Sequence, residues 1–251
     1  MESVRFADED GARWITLDRA PLNILDIATI EALAGMLAPL ESRRDLKAIV
    51  FRSALPRTFS AGVDVADHTR DRVVRMLEAF HGVFRRLDAL PQATVAAVDG
   101  TCLGGACELA AFCDIVLATP RSVFGQPEID VGCFPPVAAV LLPRLSPRAA
   151  AEMVLTGAPL GAAEAARIGL ISRVVDDVEA ETRRVVRLLS AKSGAVLALS
   201  RRALREGRTG SFAEALARVE ALYRGELVPT DDIEEGVRAF LEKRAPRWRD
   251  R

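Results

Sequence analysis

Two glutamates, Glu108 and Glu128, lie in segments of unusual apolar character. Glu108 falls within the apolar segment 106–116, and Glu128 shortly precedes a second apolar stretch, 131–142. Burying a carboxylate is costly unless it is paired, protonated or used in chemistry. Taken singly, each also fits a surface or helix-terminal glutamate. Taken together, they are candidates for proton transfer beside a carbonyl group.

A glycine-rich segment, GTCLGGACEL at 100–109, follows an apolar run at 94–98 and precedes a helical pattern. Gly104 and Gly105 allow the backbone to approach a ligand closely, and the N–H groups of a first helical turn point toward it. Such a turn can stabilise a developing oxyanion. A tight turn that packs a helix closely against a sheet explains the segment equally well. Its spacing matches neither the dinucleotide fingerprint nor the phosphate-binding P-loop.

A second turn of small residues repeats this arrangement. Ser60, Ala61 and Gly62 follow a predicted strand at 47–51, and their small side chains leave backbone N–H groups uncovered. Two such turns could supply two converging donors. A thioester needs such donors because negative charge builds on its oxygen when the α-carbon becomes enolate-like.

The remaining reactive residues give no catalytic pattern of their own. His68 and His81 are far from any nucleophile motif, so we expect them to be structural or exposed, and without a G-x-S-x-G elbow a serine hydrolase is not indicated. No cysteine pair has C-x-x-C spacing and no histidine lies near one, so the sequence predicts no metal site. We expect buried, reduced thiols at all four cysteines, which are Cys102, Cys107, Cys113 and Cys133.

Composition narrows the class of protein further. The chain has 251 residues, of which 50% are hydrophobic, and a formal net charge of −1. This net charge does not indicate a basic surface that would bind nucleic acid or an anionic membrane. The N-terminal residues do not resemble a signal peptide, and no apolar run reaches about 18 residues. We therefore expect a cytoplasmic protein with no nucleic-acid or membrane partner.

Hydrophobic periodicity predicts an α/β architecture. The predicted strands cover 14–17, 47–51, 94–98 and 115–118, and predicted helices cover 26–40 and 71–88. From about residue 177 only helical periods occur. Ser211 begins a capping-box pattern, and Pro246 is expected to end a last helix. We predict two regions, an α/β core at 1–195 and a helical region at 196–251.

Five motifs, in this order and spacing, resemble the crotonase (enoyl-CoA hydratase/isomerase) superfamily. The match runs from about residue 12 to the C-terminal motif, and the motifs are F-S-A-G-V-D (59–64), L-G-G-A-C-E-L (103–109), C-D-I-V-L-A (113–118), F-G-Q-P-E-I (124–129) and F-L-E-K-R-A-P (240–246). The resemblance implies a spiral of ββα units followed by helices that assemble homotrimers, often paired into hexamers.

The resemblance also implies roles for particular residues. The backbone N–H groups of Ala61 and Gly105 would form the oxyanion hole, and Glu108 and Glu128 match the two glutamates of members that hydrate enoyl-CoA. Lys243 matches a basic position that binds the CoA phosphate, typically from a neighbouring subunit, although a solvated C-terminal lysine explains it equally well. Further contacts with the CoA thioester are implied for four residues: Leu22, Gly62, Asp64 and Gly104.

Short loops distinguish this chain from ordinary fatty enoyl-CoA hydratases. In place of a glycine-rich P-G-x-G-G stretch it has V-G-C-F-P-P-V-A-A at 131–139, and an early loop reads P-L-N-I-L-D at 21–26. These loops, with S-A-G-V-D-V-A-D-H at 60–68, are similar to the cyclohexa-1,5-diene-1-carbonyl-CoA hydratases of anaerobic aromatic degradation. The resemblance therefore implies a cyclic dienoyl-CoA as a candidate substrate.

The sequence thus predicts a hydro-lyase that acts on an unsaturated acyl-CoA thioester. Glu128 would exchange a proton with the substrate carbon and water, and Glu108 would hold and polarise the water. No metal or redox cofactor is expected, because CoA arrives as part of the substrate. Two alternatives remain: an isomerase or decarboxylase of the same fold, or a non-catalytic member that binds CoA or RNA.

Overall fold

Two mainly parallel sheets and ten α-helices make up the computed structural model, which describes residues 3–251. The strands are β1 (Val4–Glu9), β2 (Ala12–Leu17), β3 (Ala48–Ser53), β4 (Thr58–Ser60), β5 (Ala93–Val98), β6 (Thr101–Leu103), β7 (Ile115–Ala118), β8 (Val123–Gly125), β9 (Leu160–Gly161) and β10 (Arg173–Val174). The helices are α1 (Ile27–Leu37), α2 (Val73–Ala89), α3 (Gly105–Phe112), α4 (Pro136–Leu141), α5 (Pro147–Thr156), α6 (Ala162–Arg167), α7 (Val178–Ser190), α8 (Gly194–Glu206), α9 (Phe212–Leu222) and α10 (Asp231–Leu241).

Each repeating unit contributes one strand to each sheet. The larger sheet has the order β1-β2-β3-β5-β7-β10, and the smaller has the order β4-β6-β8-β9. Among the described strands, only the β1–β2 and β8–β9 pairs are antiparallel. The successive units β3-β4-α2, β5-β6-α3 and β7-β8-α4 therefore wind as a spiral, which confirms the predicted architecture of ββα units.

The central strands of the larger sheet are buried on both faces. Trp14 and Val50 point to one face, where Val185 and Val186 of α7 cover them. The opposite face joins the main core, to which α1, α2 and α3 contribute. Parallel strands buried on both sides read as continuous apolar runs, and this is why β3, β5 and β7 are visible in the sequence.

The strands and helices predicted from the sequence are present in the structure. The sequence did not reveal the short strands of the smaller sheet, and it placed the end of the last helix too late. All four predicted strands and both predicted helices are present, and the capping box at Ser211 is confirmed. The strands β4, β6 and β8 have three residues each, too few to show a period. The last helix ends at Leu241, well before Pro246; the chain leaves it through Lys243, which has a positive φ of 53°.

The part after β10 contains only helices among the described residues, as predicted. Ser193 caps α8, close to the predicted boundary at residue 195. Within α8 the buried Arg201 binds the Asp114 carboxylate at 2.6 Å and the carbonyl groups of Leu87 and Leu90. The division into 1–195 and 196–251 stays a prediction. Within residues 3–251, none of the helices combines the length and the apolar character that crossing a membrane requires.

Candidate active site

The two small-residue turns lie side by side because they follow neighbouring strands of the smaller sheet. β4 pairs in parallel with β6, with Thr58 opposite Thr101 and Ser60 opposite Cys102. Loops that leave the carboxyl ends of adjacent parallel strands meet at one edge of the sheet. The direct supports of the turns are therefore β4 and β6 rather than the longer strands that the sequence revealed.

Gly62 lets the two turns approach each other. It has a φ of +100°, which favours glycine, and a Cβ added to it would lie 2.8 Å from the Leu103 carbonyl oxygen. The same Cβ would lie 3.3 Å from the Gly105 nitrogen. A side chain at position 62 would thus push the first turn away from the start of α3.

Gly105 offers a free N–H at the start of α3. Gly104, with a φ of +54°, donates its own N–H to the Gly125 carbonyl at 2.9 Å and turns the chain into the helix. The Gly105 N–H, by contrast, has no hydrogen-bond acceptor among residues 3–251. The first N–H groups of a helix have no intrahelical partner, so this donor is available to a ligand.

The free N–H of the first turn belongs to Val63, not to Ala61. The Ala61 N–H is donated to the Leu22 carbonyl at 3.0 Å, which contradicts its predicted role as an oxyanion donor. Leu25 bonds to either side of Val63, accepting from Asp64 at 3.1 Å and donating to Gly62 at 2.9 Å. This parallel bridge directs the Val63 N–H away from Leu25, and within the described chain no acceptor receives it.

Glu108 is a buried carboxyl group on α3, one helical turn after Gly105. Its side chain is only 2% exposed and accepts a hydrogen bond from the Ala138 N–H at 2.7 Å. Burial raises the pKa of Glu108 to about 7, although the N–H groups of Val137 and Ala138 oppose this shift and the nearby Glu128 adds to it. Glu108 therefore retains a proton to near-neutral pH.

Glu128 faces the same space from a short 3-10 turn, Pro127–Val131. A Cβ added to Gly104 would lie 3.0 Å from Glu128 Oε1, so this carboxylate approaches the glycine turn closely. The buried Gln126, with its amide nitrogen turned toward Glu128, donates to both carboxylate oxygens at 3.2 Å. Burial raises the pKa of Glu128 as well.

A cavity of about 480 Å³ contains both carboxyl groups and both turns. One wall is the inner face of α2, and another is the loop 131–136. Val63 and Gly105 line this cavity together with Glu108 and Glu128. The site can thus hold a polarised carbonyl beside a pair of carboxyl groups that exchange protons.

Both histidines also line this cavity, contrary to the prediction that they are structural or exposed. The Nδ1 atom of His68 lies 3.0 Å from the Asp64 carbonyl oxygen, so only its other nitrogen is left for the cavity. Cys133 also lines the cavity and is only half-buried, whereas Cys102, Cys107 and Cys113 are buried as expected. No group of acidic, histidine and cysteine side chains suited to a metal occurs among residues 3–251.

Of the remaining predicted binding residues, Gly104 lines the cavity, whereas four others do not: Leu22, Gly62, Asp64 and Lys243. Leu22 accepts the Ala61 N–H, and the Asp64 carboxylate accepts the Ala66 N–H at 2.9 Å, which begins the 3-10 turn Val65–His68. Lys243 is exposed beyond α10 and is not part of the cavity wall. Its role in binding CoA phosphate stays a prediction, and so do the substrate contacts of Leu22, Gly62, Asp64 and Gly104.

Three residues of the site were missed in the sequence, namely Val63, Gln126 and Ala138. Two of them act through the backbone N–H, which no side-chain pattern reveals. Gln126 stands inside the motif F-G-Q-P-E-I, so its polar side chain between a strand and Glu128 was a usable signal.

Comparison with known proteins agrees with this geometry. The family described as enoyl-CoA hydratase/isomerase matches residues 8–251. A cyclohexa-1,5-dienecarbonyl-CoA hydratase of Thauera aromatica is 37% identical over 242 residues, covering 94% of this chain and 92% of that protein. A probable enoyl-CoA hydratase of Mycobacterium leprae is 34% identical over 94% of both chains.

Solved structures show the same fold. The enoyl-CoA hydratase of Bacillus anthracis superposes with a TM-score of 0.93 at 25% identity, covering 99% of this chain and 100% of that chain. A Geobacillus kaustophilus enoyl-CoA hydratase subunit gives a TM-score of 0.91 at 29% identity, covering 99% of this chain and 98% of that one. With a spiral of ββα units, two adjacent turns with free N–H groups and a pair of buried carboxyl groups, the chain belongs to the enoyl-CoA hydratase/isomerase family.

Proposed function

We propose that this protein is a hydro-lyase that adds water to, or removes it from, an unsaturated acyl-CoA thioester. One observation carries this proposal: two unpaired backbone N–H groups and two carboxyl groups of raised pKa share one cavity. The N–H groups of Val63 and Gly105 would form the oxyanion hole that receives the thioester oxygen. Each donor in such a hole is worth about 10²–10³-fold in rate.

The two carboxyl groups divide the proton transfers of the hydration. The oxygen of water bonds to the β-carbon, and the electron pair of the double bond moves through the α-carbon onto the thioester oxygen. Glu128 exchanges the proton between water and the α-carbon, while Glu108 holds and polarises the water. When the enolate collapses, the α-carbon carries the new hydrogen and both glutamates recover their original charge.

The paired carboxyl groups favour hydration over isomerisation or decarboxylation. Isomerising a double bond moves one proton between two carbons, for which a single acid/base group is sufficient. Here Glu108 and Glu128 both line the cavity, and burial raises the pKa of each. CoA enters as part of the substrate, so the proposed reaction requires no separate metal or redox cofactor.

A cyclic dienoyl-CoA is the proposed acyl group. The support is the 37% identity to the Thauera aromatica hydratase, together with the loops at 21–26 and 131–139. Loop 131–136 forms a wall of the cavity, so its departure from the glycine-rich sequence of fatty enoyl-CoA hydratases lies where the acyl group would bind. We further propose a homo-oligomer, a trimer or a dimer of trimers.

A panel of thioesters tests the proposal. We expect the purified protein to hydrate crotonyl-CoA or cyclohexa-1,5-dienecarbonyl-CoA. Because one water is added, each product should be about 18 mass units heavier than its substrate. Glu128→Gln should lower turnover by about 10²–10⁴-fold and leave thioester binding largely intact. A wild-type protein that shifts a double bond or releases CO2, or a Glu128→Gln variant with near-normal turnover, would contradict the assignment.

A further inference from the structure

The face of α2 that forms a wall of the cavity has one polar position. Five residues of this helix line the cavity at helical spacing, and four of them are apolar; the five are Val73, Met76, Leu77, Phe80 and His81. The spacing i, i+3, i+4, i+7, i+8 is that of a single buried stripe. An amphipathic helix normally carries an apolar residue at every such position, so His81 is an exception to the pattern of its own helix.

The side chain of His81 carries an unpaired nitrogen in the part of the chain that the structure describes. Its Nε2 atom is buried and has no hydrogen-bond partner among residues 3–251. The ring is held beside Phe80, with centroids 6.2 Å apart. Leaving a buried polar atom unsatisfied costs roughly 1–3 kcal/mol.

The charges around the cavity limit what His81 can bind. The lining residues include the carboxyl groups of Glu108, Glu128 and Asp130, and no lysine or arginine among the described residues is part of the wall. The described cavity wall therefore offers no lysine or arginine to pair with an anionic acyl substituent. Burial and the neighbouring Arg85 lower the pKa of His81, so the imidazole is neutral at pH 7 and has one donor and one acceptor.

We propose that His81 determines substrate specificity by hydrogen bonding to a neutral polar group on the acyl part of the thioester. This group is a hydroxyl or an oxo oxygen, such as the hydroxyl that the hydrated form of a dienoyl thioester carries. The inference rests on the proposed function only in placing the acyl part in this cavity. Phe80 touches Gly105, since a Cβ added to Gly105 would lie 2.7 Å from Phe80 Cζ. His81 is the next residue on the helix, so the group it recognises belongs to the acyl part near the reacting thioester and not to the distant nucleotide.

The test is a binding comparison that needs no catalysis. Isothermal titration would compare hexanoyl-CoA with three analogues that cannot be hydrated: 4-oxohexanoyl-, 5-oxohexanoyl- and 6-hydroxyhexanoyl-CoA. We expect the wild type to bind at least one analogue about 3- to 10-fold more tightly than hexanoyl-CoA, the usual net effect of one hydrogen bond. Adipoyl-CoA, whose acyl end is a carboxylate, should bind more weakly than hexanoyl-CoA.

Three variants assign the preference to His81. His81→Phe should bind hexanoyl-CoA at least as well as the wild type and lose the preference, whereas His81→Asn should regain part of it because the amide can donate and accept. His68→Phe should keep the preference. An equal ratio of affinities in wild type and His81→Phe, a loss only in His68→Phe, or no preference in the wild type would each overturn the proposal. Hydration of crotonyl-CoA, measured separately, tests the proposed function instead.

Discussion

Glu108 is a carboxyl group whose burial destabilises the folded protein at neutral pH. Its pKa is about 7 in the folded chain against an ordinary value of 4.5. Below pH 4.5, the ordinary pKa, the carboxyl group is protonated in both the folded and the unfolded state, so its burial carries no cost from ionisation. As the pH rises from the lower to the higher value, the unfolded state releases its proton while the folded state keeps it, and stability falls. The loss is about 3 kcal/mol at most.

Glu108→Gln should remove this pH-dependent loss of stability. The amide oxygen of glutamine can still accept the Ala138 N–H, so the buried bond is kept. We expect the variant to gain stability over the wild type as the pH is raised from 5 to 8, by up to about 3 kcal/mol. Urea denaturation at several pH values measures this difference. A difference that is the same at pH 5 and pH 8 would show that Glu108 is ionised at its ordinary pKa.

Glu164 provides a control, because its contribution to folding stability should change with pH in the opposite direction. It is partly exposed, and its hydrogen bond to Arg167 lowers its pKa. The stability that this pair contributes is present above the ordinary pKa and is lost as the pH falls. Glu164→Gln should therefore be slightly less stable than the wild type at pH 8 and equal to it at low pH, the reverse of the trend for Glu108→Gln.

The assignment of the oxyanion donor to Val63 can be tested at the level of a single N–H. Replacing residue 63 with the α-hydroxy analogue of valine, which puts an ester in place of the amide, removes the N–H and retains the side chain. We expect turnover to fall by about 10²–10³-fold. The matched ester at Ala61 should lose about 1 kcal/mol of stability, because its bond to Leu22 disappears, but retain activity. The reverse result would return the donor role to Ala61.

At the scale of elements, the site depends on how closely two turns approach each other. Gly62→Ala places a methyl group 2.8 Å from the Leu103 carbonyl oxygen and also requires a left-handed backbone conformation for alanine. The backbone term alone costs about 1–2 kcal/mol. We expect a larger loss of stability than this, together with a strong loss of turnover, because the two donor turns are forced apart.

Gly169→Ala separates the backbone effect from the collision. Gly169 has a φ of +80°, but a Cβ there would have no neighbour within 4 Å. This variant should lose only the stability that a left-handed backbone conformation costs alanine, and it should keep its turnover. Thermal unfolding and a hydration assay measure both quantities. Equal losses of stability and activity in the two variants would show that the contact between the turns is unimportant.

Long strands and helices were predictable from sequence, whereas the elements that hold the site were not. β3 and α2 have enough residues to show an apolar run or a helical stripe. β4 and β6 have three residues each, so their pairing depends on the fold around them. The same limit explains the error at Ala61: whether a backbone N–H is free depends on Leu22, which is distant in the sequence, and only the folded chain shows that contact.

At the scale of the whole molecule, the spiral collects residues that are far apart in the chain. Each turn of ββα adds one strand to the smaller sheet, and the loops after β4 and β6 and the turn after β8 lie near its edge. Val63, Gly105 and Glu128 follow these three strands in order. The candidate site is thus a consequence of the repeat. The family motifs predicted Gly105 and the two glutamates as site residues, and all three line the cavity.

The distribution of exposed apolar side chains predicts that the protein is a homo-oligomer. Of the five large apolar side chains at least 70% exposed among the described residues, four lie in the helical region 196–251: Leu204, Phe212, Phe240 and Leu241. Exposed apolar residues that gather in one region are typical of an interface.

We expect sedimentation at micromolar concentration to show a trimer or hexamer. The double substitution Phe240→Glu with Leu241→Glu should shift it toward the monomer, because burying two unpaired carboxylates opposes association. Leu188→Glu, which alters an exposed leucine on α7 outside this region, is the control and should leave the assembly intact. A wild-type monomer would refute the assembly, and dissociation by Leu188→Glu alone would place the interface on α7.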